Sequence, residues 1–246
     1  MNGTADAGAG DAGGGAAAVR AAKLEALLAH ARALVGVELG ELADQLGIPA
    51  PPLGAVRTKG WAGQVIEREL GVETGGAHGP DFRELAVELK TVPVDAELVP
   101  FESTAVCLID PIAIAGESWA TSYARGKLAR VLFVTLATER GRAVAERRVS
   151  AVRLWSPSRQ EDELLQADFE LFVRGYFRRG RAAAITGHLG RALQVRPKGK
   201  NAADLRDSYD EEGRPTRIGK MGFYLRPTFV ASILAGDRGP GTPAAG

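Results

Sequence analysis

The sequence predicts a mixed α/β protein in which a central sheet is flanked by helices. Three observations support this class: Ala- and Leu-rich segments with apolar residues at helical spacing, short β-branched or alternating segments in mid-chain, and a long amphipathic segment after them. The 246 residues are 45% hydrophobic and 25% charged, so the chain can bury a sizeable core. Alternation of helical and strand-like segments is typical of α/β architecture.

The N-terminal part is predicted to be a tail followed by two helices. Residues 1–18 are rich in Gly and Ala and predict a disordered tail, as do residues 236–246, which leaves 19–235 as one folded domain. A helix is expected over 19–35, and "ELGELADQLGIP" indicates a second, short helix that ends at Gly47 and Pro49. The same letters resemble the start of a helix-turn-helix, but the breaker-rich "PPLGAVRTKG" that follows favours two packed helices.

The middle of the chain predicts one helix, then strands, then a longer helix. A helix over 61–70 places an apolar face against the core and Glu67 at the edge of that face. Strands are expected over 85–92, 104–109 and 129–136. The helix expected over 161–177 is indicated by apolar residues at spacings of four, three and four, namely Leu165, Phe169, Phe172 and Tyr176.

Composition narrows the classes of function and predicts a soluble cytoplasmic protein. Lys and Arg total 31 against 30 for Asp and Glu, so overall charge does not indicate a polyanion partner. The single cysteine, Cys107, excludes an intrachain disulfide and suits a reducing compartment. No segment has the roughly 20 apolar residues of a membrane helix. Three histidines and one cysteine do not make a zinc site, His78 is interpreted as a loop residue, and no Walker A motif is present.

Local charge indicates nucleic acid more strongly than the total does. Residues 171–203 contain no Asp or Glu but eight basic residues: Arg174, Arg178, Arg179, Arg181, Arg191, Arg196, Lys198 and Lys200. A solvated helix face is the ordinary interpretation of a charge run, yet acidic residues normally intersperse such a face. A strand over 192–195 would present Arg196 and Lys198 from a loop that could enter a DNA groove, where these side chains read guanine.

The segment "PDFRELAVELK" at 80–90 carries two carboxylates and a lysine in a strand-like pattern. Alternation places Glu88 and Lys90 on one face, and Asp81 follows a Gly-Pro turn that can bring it near Glu88. The functional interpretation is that Asp81, Glu88 and the Leu89 carbonyl hold Mg²⁺ while Lys90 orients or deprotonates a water for phosphodiester hydrolysis. The alternative is a surface strand with an exposed Glu and Lys.

Several blocks of the chain resemble the MutH family of DNA mismatch repair endonucleases. These blocks are "KGWAGQVIERELG", "PDFRELAVELKTVPVD", "ESTAVCLIDP", "LWSPSRQEDE", "LQVRPKGKNA" and "GFYLRPTF", in family order over about 20–235. The resemblance implies the PD-(D/E)xK restriction-endonuclease-like fold, Mg²⁺ dependence and a monomer. It also implies nicking of the unmethylated strand at hemimethylated GATC sites, on activation by MutL after MutS finds a mismatch.

The resemblance also assigns roles to individual residues. Asp81, Glu88 and Lys90 look like the catalytic carboxylates and lysine, and Glu67 looks like the helical glutamate that completes the site. Lys127 in "ARGKLARV" resembles the lysine near the scissile phosphate. The residues expected at DNA are Arg196 and Lys198 near the GATC bases, Tyr224 near the methylated adenine, and Arg178 and Arg179 from the basic stretch. Ala105 stands where the family often has a phenylalanine that reaches the DNA.

Two other functions compete with mismatch repair. A GATC-directed type II restriction endonuclease would share the catalytic block. Many such enzymes carry a second, degenerate copy of the domain, whereas this chain has room for a single copy, so its length favours repair. A DNA-binding protein without catalysis is disfavoured because Asp81, Glu88 and Lys90 are all present.

Overall fold

The computed structural model describes residues 12–52, 60–72, 79–139, 141–201 and 203–236. Its helices are α1 (Ala12–Ala33), α2 (Leu39–Gln45), α3 (Trp61–Glu69), α4 (Tyr123–Leu128), α5 (Arg159–Gly175) and α6 (Pro227–Ala235). Its strands are β1 (Glu88–Val94), β2 (Thr104–Leu108), β3 (Val131–Ala137), β4 (Arg148–Trp155), β5 (Leu193–Pro197), β6 (Leu205–Tyr209), β7 (Pro215–Gly219) and β8 (Met221–Leu225). The mixed α/β class is confirmed.

The strands form three sheets. In the first, β3 is central, β1 pairs with it in parallel and β4 in antiparallel orientation, so this sheet is mixed as predicted. In the second, β8 lies between β2 and β5 and all pairings are antiparallel. The hairpin of β6 and β7 is the third. The sequence predicted one central sheet, and the second sheet, which carries the expected DNA-reading residues, was not anticipated.

The mixed sheet separates two hydrophobic cores. Leu132 and Leu136 of β3 face helices α1 to α3, whereas Val131 and Phe133 face the second sheet with α5 and α6. Because β3 is buried on both faces, it is an apolar run interrupted only by Thr135, which is usual for a central strand that pairs in parallel. On β1, Leu89 joins the helical side together with residues 85 and 87, as the alternation predicted.

Three of the boundaries that differ from prediction have a local cause. Helix α1 begins at Ala12, so the prediction of disorder is wrong for residues 12–18; alanine favours the helix without burial, and extending an existing helix avoids the cost of nucleation. Strand β1 begins at Glu88, because residues 83–85 form a 3-10 turn and Ala86 has a φ of 52°. Helix α5 begins at Arg159, since Ser158 caps it through a capping box with Glu161.

Some predictions fall on residues that the structure does not describe. Residues 1–11 and 237–246, which contain most of both predicted tails, lie outside the described ranges, as do residues 53–59 after α2 and His78. Within the described ranges, no helix combines the length and the apolar character needed to cross a membrane. Cys107 is a buried free thiol, as expected, and burial raises its pKa to about 12.

Two charged side chains hold the loop that precedes β5. Asp168 of α5 is 4% exposed, and its carboxylate accepts hydrogen bonds from the backbone amides of Arg191, Ala192 and Leu193 at 2.7 to 3.0 Å. Arg226, which follows β8, donates to backbone carbonyls of the same loop at residues 187, 189 and 190. This clamp fixes the start of β5 and the end of β8, the two strands that carry the expected DNA-reading residues.

Candidate active site

A closed turn brings Asp81 next to Glu88. The amide of Phe82 donates to the carbonyl of Val87 at 2.9 Å, and the amide of Val87 donates back at 3.2 Å. The chain reverses between them through the 3-10 turn and Ala86, whose left-handed conformation closes the loop. Because Asp81 and Glu88 are the next residues outward from this pair, the turn sets the separation of the two carboxylates.

The backbone of β1 fixes the Asp81 carboxylate. The amide of Leu89 donates to Asp81 Oδ2 at 2.8 Å, while the Leu89 side chain is buried in the core on the helical side of the sheet. Hydrogen bonds from an amide to a carboxylate are charge-assisted and short, so they hold the acid in one orientation. The three oxygen donors that the sequence predicted, from Asp81, Glu88 and Leu89, therefore come from one short stretch of backbone.

Glu88 is buried and both of its carboxylate oxygens are bound by lysines. Lys90 Nζ donates to Oε1 at 2.6 Å and Lys127 Nζ donates to Oε2 at 2.8 Å. Glu88 is 2% exposed, so the interpretation of this face as a solvent-exposed strand surface is wrong. A carboxylate at this depth requires charged partners, because an unpaired buried charge is very costly. Lys127 lies 39 residues from Glu88 in sequence, and the fold brings them together.

Helix α4 presents Lys127 to Glu88. Ser122 caps the start of the helix by accepting from the Arg125 amide at 3.1 Å. Burial alone would lower the pKa of Lys127, but the hydrogen bond and charge of Glu88 outweigh it and raise that pKa, with help from Asp81. The ammonium group also lies 5.7 Å from the ring centroid of Tyr123. Lys127 is therefore held as a cation.

Asp162 of α5 anchors this short helix. Its carboxylate accepts two hydrogen bonds from Arg125 of α4, both at 3.2 Å, and one from the indole of Trp119 at 3.0 Å. Burial would raise the pKa of Asp162, but these hydrogen bonds lower it, so the carboxylate stays ionised at neutral pH. The position of Lys127 is thus tied to the amphipathic helix on the opposite side of α4.

Glu67 adds a third carboxylate. It lies on α3, which packs against β1. Its side chain lies beside Gly63, one turn earlier on the helix, where an added Cβ would be 3.7 Å from Glu67 Oε1. Burial and the charge of Asp81 raise the pKa of Glu67; Glu88 adds to this effect, while Lys90 opposes it. Asp81, Glu88 and Lys90 therefore share one electrostatic environment with Glu67.

The donor set suits a hard divalent cation, although it is not arranged as a finished metal site. Carboxylates whose charges repel one another are the ligands that Mg²⁺ prefers, and a cation would relieve the repulsion that raises the pKa of Glu67. Among the described residues, no group of three or more His, Cys, Asp or Glu side chains has metal-binding geometry. Lysines bind both oxygens of Glu88, so a cation that used this carboxylate would bind an oxygen that also accepts a hydrogen bond from a lysine.

The second sheet places Lys198 beside Tyr224 and within electrostatic range of Lys90. The ammonium of Lys198 lies 5.6 Å from the centroid of the Tyr224 ring, and burial together with the charge of Lys90 lowers the pKa of Lys198. Burial raises the pKa of Tyr224, so its hydroxyl keeps its proton at neutral pH. Gly222 permits this packing, since a Cβ there would lie 2.7 Å from the Cys107 carbonyl and 3.3 Å from Lys198 Cδ.

The remaining expected DNA contacts occupy two different places. Arg196 of β5 is exposed and its Nη1 donates to Ser103 Oγ at 3.0 Å, on the same sheet as Tyr224. Arg178 instead donates to the backbone carbonyls of residues 115 and 117, at 2.6 and 3.2 Å, and ties two loops together. Arg179 beside it is exposed. Neither of these hydrogen bonds joins Arg178 to the acidic cluster of Glu67, Asp81 and Glu88.

Comparison with known proteins assigns the family. A family model described as the DNA mismatch repair enzyme MutH matches residues 70–168. The DNA mismatch repair protein MutH of Haemophilus ducreyi is 42% identical over 208 residues, which cover 85% of this chain and 91% of that protein. Those of Serratia proteamaculans and Vibrio cholerae are 40% and 39% identical, again over 85% of this chain and over 91% and 93% of their own lengths. The chain belongs to the MutH family.

The family-model match contains the core of the acidic cluster. Asp81, Glu88, Lys90 and Lys127 all fall within residues 70–168. Glu67, Arg196, Lys198 and Tyr224 lie outside that match, but the MutH relatives align with 85% of the chain. The structure places Glu67 and Lys198 in the electrostatic environment of the matched residues.

Sequence reasoning missed the polar residues that support the site. Asp168 lies between Leu165 and Phe169 on the buried face of α5, and an acid on a face predicted to be apolar was the available signal. Ser103 and Gln194 hydrogen-bond to each other across the second sheet. Because that sheet was not anticipated, no pattern in the sequence indicated that these two residues would meet.

Proposed function

We propose that this MutH-family protein is a Mg²⁺-dependent DNA endonuclease that nicks the unmethylated strand at hemimethylated GATC sites during mismatch repair. The observation that carries the proposal is Glu88: a buried carboxylate bound by Lys90 and Lys127, beside Asp81 and Glu67. Three acids and two amines at the meeting point of two sheets are costly for the fold and suit hydrolysis of a phosphodiester.

The chain's own groups divide the work of hydrolysis between them. Asp81, Glu88 and the Leu89 carbonyl would hold the cation, with Glu67 next to them. When bound, Mg²⁺ supplies Lewis acidity to the phosphoryl oxygen and acidifies the attacking water. Lys90 orients that water while it is an ammonium group, or takes its proton when it is a neutral amine, and Lys127, which is held as a cation, stabilises charge on the scissile phosphate. The water oxygen forms a bond to phosphorus while the bond to the 3′ oxygen breaks.

The second sheet would read the site. Arg196 and Lys198 can donate to the guanine edge in the major groove, and the Tyr224 ring can contact the adenine whose methylation is sensed. Arg178 and Arg179 remain candidates for phosphate contacts, with Arg179 the less constrained of the two. Double-stranded DNA with GATC is the substrate in this proposal.

The finer fold assignment follows from the same residues. The order of a helical glutamate, an acid at a turn, and a strand with Glu-Leu-Lys is the pattern expected of the PD-(D/E)xK restriction-endonuclease-like fold. Its support here is that β1, at the edge of a mixed sheet, carries Glu88 and Lys90 while α3 packs against it with Glu67. We further propose that the protein is a cytoplasmic monomer that MutL activates after MutS has found a mismatch.

A GATC-directed type II restriction endonuclease is the alternative that the catalytic block alone would allow. The relatives that cover 85% of this chain are named as DNA mismatch repair proteins, and they are covered over about nine-tenths of their own length. Repair is therefore the function that the comparisons favour.

The test is strand-resolved nicking of hemimethylated, unmethylated and fully methylated GATC duplexes, with and without MutL, in Mg²⁺ or in EDTA. We expect cleavage of unmethylated strands only, stimulation by MutL, no cleavage in EDTA, and no cleavage by Asp81→Asn. Tyr224→Ser should erode the strand preference while still cutting. Equal cleavage of all three duplexes, or a double-strand cut independent of MutL, would favour the restriction enzyme.

A further inference from the structure

Ser103 connects two side chains of the second sheet. Its Oγ accepts a hydrogen bond from Gln194 Nε2 at 2.7 Å and another from Arg196 Nη1 at 3.0 Å. Ser103 directly precedes β2, whereas Gln194 and Arg196 both lie on β5, and β8 separates the two strands. These hydrogen bonds therefore cross β8, the strand that carries Tyr224.

The register of the sheet explains why these groups share one face. Tyr224 is opposite Ala105 on one side and opposite Gln194 on the other, and Arg196 is two residues beyond Gln194. Side chains two residues apart on a strand lie on the same face. Ser103 is two residues before Ala105, and its hydrogen bonds to Gln194 and Arg196 place its hydroxyl on the same face as the tyrosine expected near the adenine.

The chemistry of the contact leaves Arg196 able to recognise a base. A serine hydroxyl has two acceptor lone pairs, and here the amide of Gln194 and the guanidinium of Arg196 use both. Gln194 is 4% exposed, so its amide is fixed and in turn fixes the position of the hydroxyl. Arginine has five donors, and a bond through Nη1 leaves the donors on Nε and Nη2 for an acceptor on DNA.

We propose that Ser103, fixed by Gln194, is a positioning residue for Arg196 and thereby determines specificity at the GATC site. This inference rests on the proposed function. An exposed arginine samples many rotamers, and holding it in one orientation before DNA arrives reduces the ordering required on binding. The bound orientation also favours a base whose acceptors match the donors that remain free, so discrimination depends on Ser103 although Ser103 itself reads no base.

The experiment compares Ser103→Ala with Ser103→Thr, which keeps the hydroxyl, and combines Ser103→Ala with Arg196→Ala. The first readout uses no DNA: the side-chain Nε–H resonance of Arg196 should show high order in the wild type and in Ser103→Thr, and averaging in Ser103→Ala. The second is the ratio of kcat/KM at GATC to that at sites with the guanine replaced. We expect Ser103→Ala to lower this ratio about tenfold, close to the loss of one good base contact, and to lower the melting temperature because the buried Gln194 amide loses its acceptor.

The outcomes separate this inference from the proposed function. In the Arg196→Ala background, Ser103→Ala should cause no further loss of the ratio, because the two residues act as one unit. Unchanged order of Arg196 in Ser103→Ala would overturn the positioning role, whatever the cleavage data show. Altered order with an unchanged ratio, additive losses, or failure of Ser103→Thr to restore the ratio would overturn the role in specificity. A wild type with no preference for GATC would instead overturn the proposed function, and the specificity role with it.

Discussion

Glu88 is the residue on which the site depends, because a buried carboxylate with two lysines cannot be altered without leaving a charge unpaired. Its Oε1 and Oε2 are bound separately by Lys90 and Lys127, which come from the same strand and from a distant helix. The alternation of β1 predicted that Glu88 and Lys90 would share a face. It could not predict burial, because Lys127 and the second sheet cover this face through contacts distant in sequence.

Replacing Glu88 should therefore reduce stability as well as activity. Glu88→Gln leaves two lysines beside a neutral amide, and we expect the free energy of unfolding to fall by about 3 kcal/mol. Glu88→Gln combined with Lys127→Gln should recover part of that loss, because one of the unpaired charges is removed. Urea unfolding of the wild type, both single variants and the double variant measures the coupling. Strictly additive effects would show that the Lys127 contact contributes nothing.

Glu67 should show the opposite relation between stability and activity. Burial and the neighbouring carboxylates raise its pKa, so the ionised form destabilises the folded state at neutral pH. Glu67→Gln should abolish nicking and raise the melting temperature slightly. The gain in the free energy of unfolding should be no more than about 0.5 kcal/mol, because solvent reaches this residue.

The difference in stability between Glu67→Gln and the wild type should depend on pH. In the wild type, the pKa of Glu67 is higher in the folded protein than in the unfolded chain. The wild type therefore gains stability as the pH falls through the folded pKa, and this gain is complete below the unfolded pKa of 4.5. The advantage of Glu67→Gln should accordingly be present at pH 7 and vanish below about pH 4.5. Thermal melts of both proteins from pH 4 to pH 8 measure it, and a constant difference would contradict the assignment.

At the scale of elements, the structure depends on two devices that hold short strands in place. One is the closed turn between Phe82 and Val87, and the other is the clamp that Asp168 and Arg226 form on the loop before β5. Helix α3 and strand β1 were recognisable because their apolar residues repeat at one period, and β3 because it is a nearly continuous apolar run. Strands β6 and β7 carry charged and exposed residues, so their pairing depends on contacts that no local pattern reveals.

The clamp predicts a large effect from a nearly isosteric change. Asp168→Asn loses the charge and places an amide donor against backbone amides that are themselves donors, so we expect a loss of about 2–4 kcal/mol. Asp162→Asn is the matched control on the same helix, because it faces side-chain donors near the surface and should cost less than about 1 kcal/mol. Chemical denaturation measures both, and equal losses would contradict the special role of the clamp.

At the scale of the whole molecule, the sequence indicated one basic surface, and the structure divides it. Arg196 and Lys198 accompany Tyr224 on the second sheet, Arg178 ties two loops together, and Arg174 forms an ion pair with Glu170. The absence of acids in residues 171–203 was informative about local charge. The i,i+4 spacing of Glu170 and Arg174 on the predicted helix was readable, but the sequence could not show that Glu211 would approach Arg181 in space.

The salt dependence of DNA binding distinguishes the basic residues that touch phosphate from those that do not. Each phosphate contact contributes about 0.9 to the slope of log affinity against log salt, because condensed counterions are released. Arg179→Ala removes an exposed charge, so we expect the slope to flatten by about one unit and affinity for all sequences to fall alike.

Arg174→Ala is the matched control, since its guanidinium lies 3.4 Å from Glu170 on the same helix and should leave the slope unchanged. Arg178→Ala should lower the melting temperature as well, because it breaks two hydrogen bonds to backbone carbonyls. Fluorescence anisotropy on a GATC duplex from about 50 to about 200 mM salt measures the slope for all three variants, and a thermal melt measures the effect of Arg178→Ala on stability. If the slope of Arg179→Ala equals that of Arg174→Ala, this part of the basic stretch faces solvent in the complex and the DNA path is confined to the second sheet.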